Sequence, residues 1–186
     1  MPVQPYEVLW FLSNPNASAG YTGTGTAGNS LGGYMSTTQI NSASSLDDLF
    51  LDISGAQNAA GQVDYQCLFL MNNTASLLPM NAIFLWFPVA LWTYNGAGMA
   101  VAVDPIGAVA YNRSTRQAAL IANSLTPPST VTTWSPGPHT TFGSGISAGA
   151  LQPNYCLGVW IQRTAQNTPI LTPQTLSLQA TYQSNA

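Results

Sequence analysis

The stretch Val63-Asp64-Tyr65-Gln66-Cys67-Leu68-Phe69-Leu70-Met71 decides the fold. Val63, Tyr65, Cys67, Phe69 and Met71 share one face of an extended chain, while Asp64 and Gln66 occupy the other until Leu68 and Leu70 make both faces apolar. Side chains of a strand alternate between two faces, so this period of two marks a β-strand. Outward from it, Tyr155, Leu157, Val159 and Ile161 alternate with Cys156, Gly158, Trp160 and Gln162. Leu176, Leu178, Ala180 and Tyr182 alternate in the same way with Ser177, Gln179, Thr181 and Gln183. The pattern predicts strands at about 62–72, 154–163 and 174–183, and AIFLWF at 82–87 and MAVAV at 99–103 supply two more.

No long window holds the 3.6-residue period of a helix, and Gly and Pro interrupt every candidate. A turn or two of helix is expected near Ser45–Phe50, where a serine can cap and the acids Asp47 and Asp48 suit a helix start, and around Asn58–Ala60. Strands separated by turn-rich spacers predict an all-β chain, a two-layer β-sandwich of jelly-roll or immunoglobulin-like type with an extended N-terminal arm.

A chain of 186 residues is long enough for one domain with a sizeable core. The segment PYEVLWFL at 5–12 reads as a first strand, and Ser13 to Ser30, mostly Gly, Asn, Ser and Thr with little to bury, reads as a loop or mobile arm. The division expected is a strand and flexible polar arm over 1–30 and a sandwich domain over 31–186. Such a tethered strand is suited to adding to a neighbour's sheet, so deleting 1–30 is expected to leave a folded sandwich.

Charge is the compositional anomaly. Only 5% of residues are Asp, Glu, Lys or Arg, against roughly 25% in an ordinary soluble domain. The bases are Arg113, Arg116 and Arg163, with no lysine; the acids are Glu7, Asp47, Asp48, Asp52, Asp64 and Asp104. Clustered Lys and Arg, on which phosphate binding rests, are missing, which argues against nucleic acid as a partner. Solvent-facing positions fall to Ser, Thr, Asn, Gln and Gly. A free monomer with so little charge has weak colloidal protection, which favours life in an assembly. No apolar run reaches the length of a membrane span, since SLLPMNAIFLWFPVALW is broken by Pro79, Asn81 and Pro88. Met1-Pro2-Val3-Gln4 lacks the features of a signal peptide, so a chain made in the cytoplasm and left unprocessed is expected.

Residues with chemical potential are few. Cys67 and Cys156 each sit in an apolar run and are expected as buried free thiols. His139, in PGPHTT, is the only histidine, so no zinc set assembles and no GxSxG elbow supports a serine triad. Asp47, Asp48 and Asp52 lack the spacing of an EF-hand loop, and the acids carry no signature of a glycosidase pair. AGYTGTGTAGNS lacks the GK[ST] ending of a phosphate loop. The expectation is therefore no catalytic residues, no metal and no cofactor. Trp86 and Trp160 read as core; Trp92 and Trp134 flank loops, where they suit either a sugar platform or a protein interface. The interface set expected from the sequence is Tyr6, Val8, Trp10, Leu12, Trp92 and Trp134.

SLGGYMSTTQI at 30–40, LDDLFLDISGAQNAAGQVDYQCLFLMNNT at 46–74, AIFLWF, and LQPNYCLGVWIQRTAQNTP at 151–169 together resemble a group of tailed-bacteriophage virion structural proteins. The resemblance spans about two thirds of the chain in order and leaves out 88–150. It implies a non-enzymatic part of a phage particle. The expected role is a capsid decoration (cement) protein in the virion. Its expected partners are copies of itself, in a homo-oligomer such as a trimer, and the major capsid protein or other virion proteins. A tail, baseplate or connector part is the alternative within that class, and a carbohydrate-binding sandwich the alternative outside it.

Overall fold

The computed structural model describes residues 8–40, 49–73, 78–86, 97–136, 145–165 and 179–184. Its elements are β1 (Val8–Asn14), β2 (Tyr34–Ile40), α1 (Gly55–Ala59), β3 (Val63–Asn72), β4 (Met80–Trp86), β5 (Ala97–Val103), β6 (Val109–Ala110), β7 (Ser135–Pro136), β8 (Ile146–Leu151), β9 (Tyr155–Ala165) and β10 (Gln179–Ser184). A large antiparallel sheet runs β2-β1-β3-β9-β5-β7, with β6 also paired to β9, and a smaller one runs β10-β4-β8. The all-β, two-sheet architecture read from the alternation is the one observed.

The centre of the large sheet is the β3–β9 pair, in register from Val63 opposite Thr164 to Met71 opposite Cys156. Its double-sided apolar pattern has a structural cause, because each face of this sheet is covered by something different. On one face Leu12, Leu68, Leu70, Val101, Leu157, Val159 and Ile161 pack against Met80, Ile83, Leu85 and Leu151 of the small sheet. On the other, Phe11, Cys67, Phe69, Met71, Cys156 and Trp160 pack against Leu31, Ala118 and Ile121 from loops. A sheet buried on both faces reads as a continuous apolar run, as Cys67–Met71 does.

The amino-terminal region departs from the arm expected of it. Strand β1 is paired on both sides, with Trp10 opposite Ile40 of β2 and Leu70 of β3. It has no free edge to add to a neighbour's sheet. The polar stretch after it is built in as well: Tyr21 N donates to Met35 O (2.6 Å), Thr37 N to Gly23 O (2.9 Å) and Gly25 N to Thr38 Oγ1 (3.0 Å), sealing the outer edge of β2. Ser30 then anchors the stretch to β3, its Oγ donating to Cys67 O (2.6 Å), its O accepting from Cys67 N (2.6 Å) and its N donating to Gln66 Oε1 (2.8 Å). Covering an edge strand this way removes a template for unwanted pairing. Small polar residues had little to bury, but they carry the donors and acceptors that an edge requires.

The short helix α1 lies at the expected turn around Asn58–Ala60. Ser54 caps it, with Gln57 N donating to Ser54 Oγ (3.2 Å) and Ser54 N donating to Gln57 Oε1 (2.7 Å), a reciprocal capping box. The turn expected around Asn58–Ala60 is thus the end of α1, while most of the Ser45–Phe50 candidate, and the 174–178 part of the last strand, lie outside the described residues.

Candidate interaction surface

Two long loops cross the face of the large sheet opposite the small sheet, and two buried polar side chains hold them there. Asp104, fully buried at the end of β5, accepts hydrogen bonds from Trp160 Nε1 (2.9 Å), Ala119 N (2.7 Å) and Ile106 N (2.9 Å). Gln117, also fully buried, accepts from Met35 N (2.8 Å) and donates to Ala110 O (2.9 Å) and Tyr111 O (2.7 Å). Between them they fasten 104–121 to β9, to β2 and to itself. Gly32, at φ +86°, crosses below this loop where a Cβ would overlap Ala119 O, and Gly33 N donates to that same carbonyl (3.0 Å).

The outer surface of these loops presents Tyr21, Tyr34, Tyr111, Leu120, Arg113 and Arg116. Tyr21, Tyr34 and the 111–114 segment are contiguous: the Tyr21 and Tyr111 rings meet edge-on at 5.3 Å, Gly20 N donates to Arg113 O (2.9 Å), and Tyr34 Oη donates to Ser114 O (3.3 Å). Tyr21 is 41% and Leu120 37% exposed, large apolar side chains held in place instead of being buried. Among the described residues neither Arg113 nor Arg116 has a carboxylate partner, since the ion pair found there joins Arg163 to Asp64. Tyrosine and arginine on a rigid support are the residue types that concentrate at the centres of protein interfaces.

At the far end of β9 lies a cavity of about 150 Å³, bordered by Phe50, Asp52, Gln62, Asp64, Ser124 and Arg163 among others. Arg163 Nη2 donates to Asp64 Oδ2 at 2.8 Å, Gln62 Nε2 donates to Asp64 Oδ1 at 2.8 Å, and the guanidinium lies 4.6 Å from the Phe50 ring centre. Arg163 and Asp64 neutralise each other there, and the space is below the roughly 300 Å³ of small-molecule pockets. The chemistry here is that of a structural ion pair. On the rim, Leu51 is 59% exposed and Asp52 is exposed beside it.

The two thiols are free and buried. Cys67 pairs with Trp160 and Cys156 with Met71 in the β3–β9 register, which puts the two cysteines roughly 13 Å apart along the strands and out of disulfide reach. Burial pushes both thiols up, Cys67 well above the usual value and Cys156 to about 12, the opposite of what a nucleophile needs. Among the described residues no three of His, Cys, Asp and Glu gather as a metal site.

Of the interface residues read from the sequence, Leu12 is buried in the core between the sheets, and Val8 and Trp10 are partly buried against that same core. Trp134 packs at 5.6 Å on the Tyr65 ring, half-buried over the loop-covered face. Tyr6, Trp92 and His139 lie outside the described residues. Of the expected set, Leu12 is thereby core and not surface, and a Tyr–Arg face that the expected set does not include is brought together by the loops. One signal for that face was present in the sequence, since two of three arginines stand within four residues at 113–116. No family model, curated protein or solved structure matches the chain.

Proposed function

We propose that this chain is a non-enzymatic structural component of a tailed-phage virion, a capsid decoration protein working through contacts with copies of itself and with the shell. The observation that carries the reading is the near-neutral surface. Of nine charged side chains in the sequence, Asp64, Asp104 and Arg163 are spent inside the fold, and among the described residues the outside carries charge only at Asp52, Arg113 and Arg116. A subunit crowded against identical neighbours is favoured by little like-charge repulsion. The sequence resemblance over 30–40, 46–74 and 151–169 supports the same reading.

Quantitative mass spectrometry of density-purified particles against the lysate tests this. The chain is expected at a copy number comparable to the major shell protein. Depletion from particles with enrichment in the soluble lysate overturns the proposal, and glycan-dependent retention of that soluble protein would replace it with the carbohydrate-binding alternative.

A further inference from the structure

The Tyr–Arg face and the Leu51–Asp52 rim are complementary, yet they cannot meet within one chain. Arg113 and Arg116 belong to the loop whose Gln117 side chain reaches Cys156 Sγ (3.4 Å), near the start of β9. Asp52 borders the cavity lined by Arg163, near the end of that strand. From Cys156 to Arg163 the strand runs roughly 24 Å, whereas an ion pair needs its charges within about 4 Å. One end thus offers two arginines without carboxylate partners among the described residues, beside tyrosines and Leu120, and the other offers an acid beside an exposed leucine.

We infer that the chain self-associates head to tail, the Tyr21–Tyr111–Arg113–Arg116 face of one copy receiving the Leu51–Asp52 rim of the next. The occupant is a second copy because the acid and the arginines of this one chain supply both halves of the contact. Apolar area supplies most of the attraction, and the charges supply orientation and register. Because the two patches differ, the contact is heterologous and repeats, closing into a ring when the rotation allows and extending otherwise. The inference rests on the self-association part of the proposed function and not on where the assembly sits.

Introduced thiols test it on the full chain, since the native cysteines are buried and Asp52 and Arg116 are both exposed. Asp52→Cys and Arg116→Cys proteins, each alone and mixed in equal amounts, are treated with diamide and run on non-reducing gels. The mixture is expected to give covalent dimer about tenfold faster than either variant alone, and sedimentation of the wild type is expected to show association that weakens with salt. Either variant cross-linking alone as fast as the mixture overturns the head-to-tail contact. No dimer in the mixture, with the wild type still associating, overturns this surface alone. A wild type that is monomeric at all salt concentrations overturns the surface and the self-association reading together.

Discussion

The indole Nε1 of Trp160 donates to Asp104 Oδ2 at 2.9 Å, joining residues 56 apart in sequence inside the fold. The carboxylate also receives the Ala119 and Ile106 amides, so a single buried anion ties a β9 side chain to the loop that carries the Tyr–Arg face. Asp104→Ala leaves three donors without an acceptor and is expected to cost about 3–5 kcal/mol, whereas Trp160→Phe, which removes one donor along with some packing, is expected to cost less. Urea denaturation read by tryptophan fluorescence and by circular dichroism gives the two values. Equal stability of Asp104→Ala and wild type would refute the anchoring role.

Removal of residues 1–30 is expected to prevent folding. It takes out β1 from between β2 and β3, the core side chains Phe11 and Leu12, and the segment sealing the β2 edge. A cooperative thermal transition in the truncated protein would contradict the placement of β1.

Breaking the Arg163–Asp64 pair from one side is expected to be worse than replacing both partners. Arg163→Met strands an acid whose side chain is 6% exposed, at a cost of up to about 3 kcal/mol given the partial exposure of the arginine. Arg163→Met with Asp64→Leu is expected to recover part of that loss. A double-mutant cycle measures the coupling, and additive effects would show that the pair contributes nothing.

Both thiols are expected to be silent to Ellman's reagent in the native state and to titrate as two on unfolding. Their raised pKa values set a pH dependence. The thiol form is favoured in the fold, so its contribution is complete below the usual thiol value of 9.0 and is lost as pH rises toward about 12 for Cys156. Stability should therefore fall across that alkaline window, and less steeply in Cys156→Ala. An unchanged slope in the variant would remove Cys156 as a cause.

The strands were legible because their alternation is a local property: β3, β4, β5 and β9 all lie within a few residues of their sequence expectation. What could not be read was the role of 13–30, because Ser30 and Gly25 act through backbone and hydroxyl bonds to residues far along the chain and bury almost no apolar area. The same holds for Asp104 and Gln117. Each looks like an ordinary polar residue until Trp160, Met35 and Tyr111 are brought to it. Leu12 belongs to the core and not to an interface: an apolar strand beside a polar stretch looks detachable, when its partners β2 and β3 follow later in the chain.

A density map of the particle itself tests the virion assignment most directly, at a resolution that separates strands. The account predicts that this unequal sandwich, with its large sheet faced by loops on one side and by the small sheet on the other, fits density on the outer surface of the head in symmetry-related clusters. A map in which every head and tail density is assigned to other chains would contradict it.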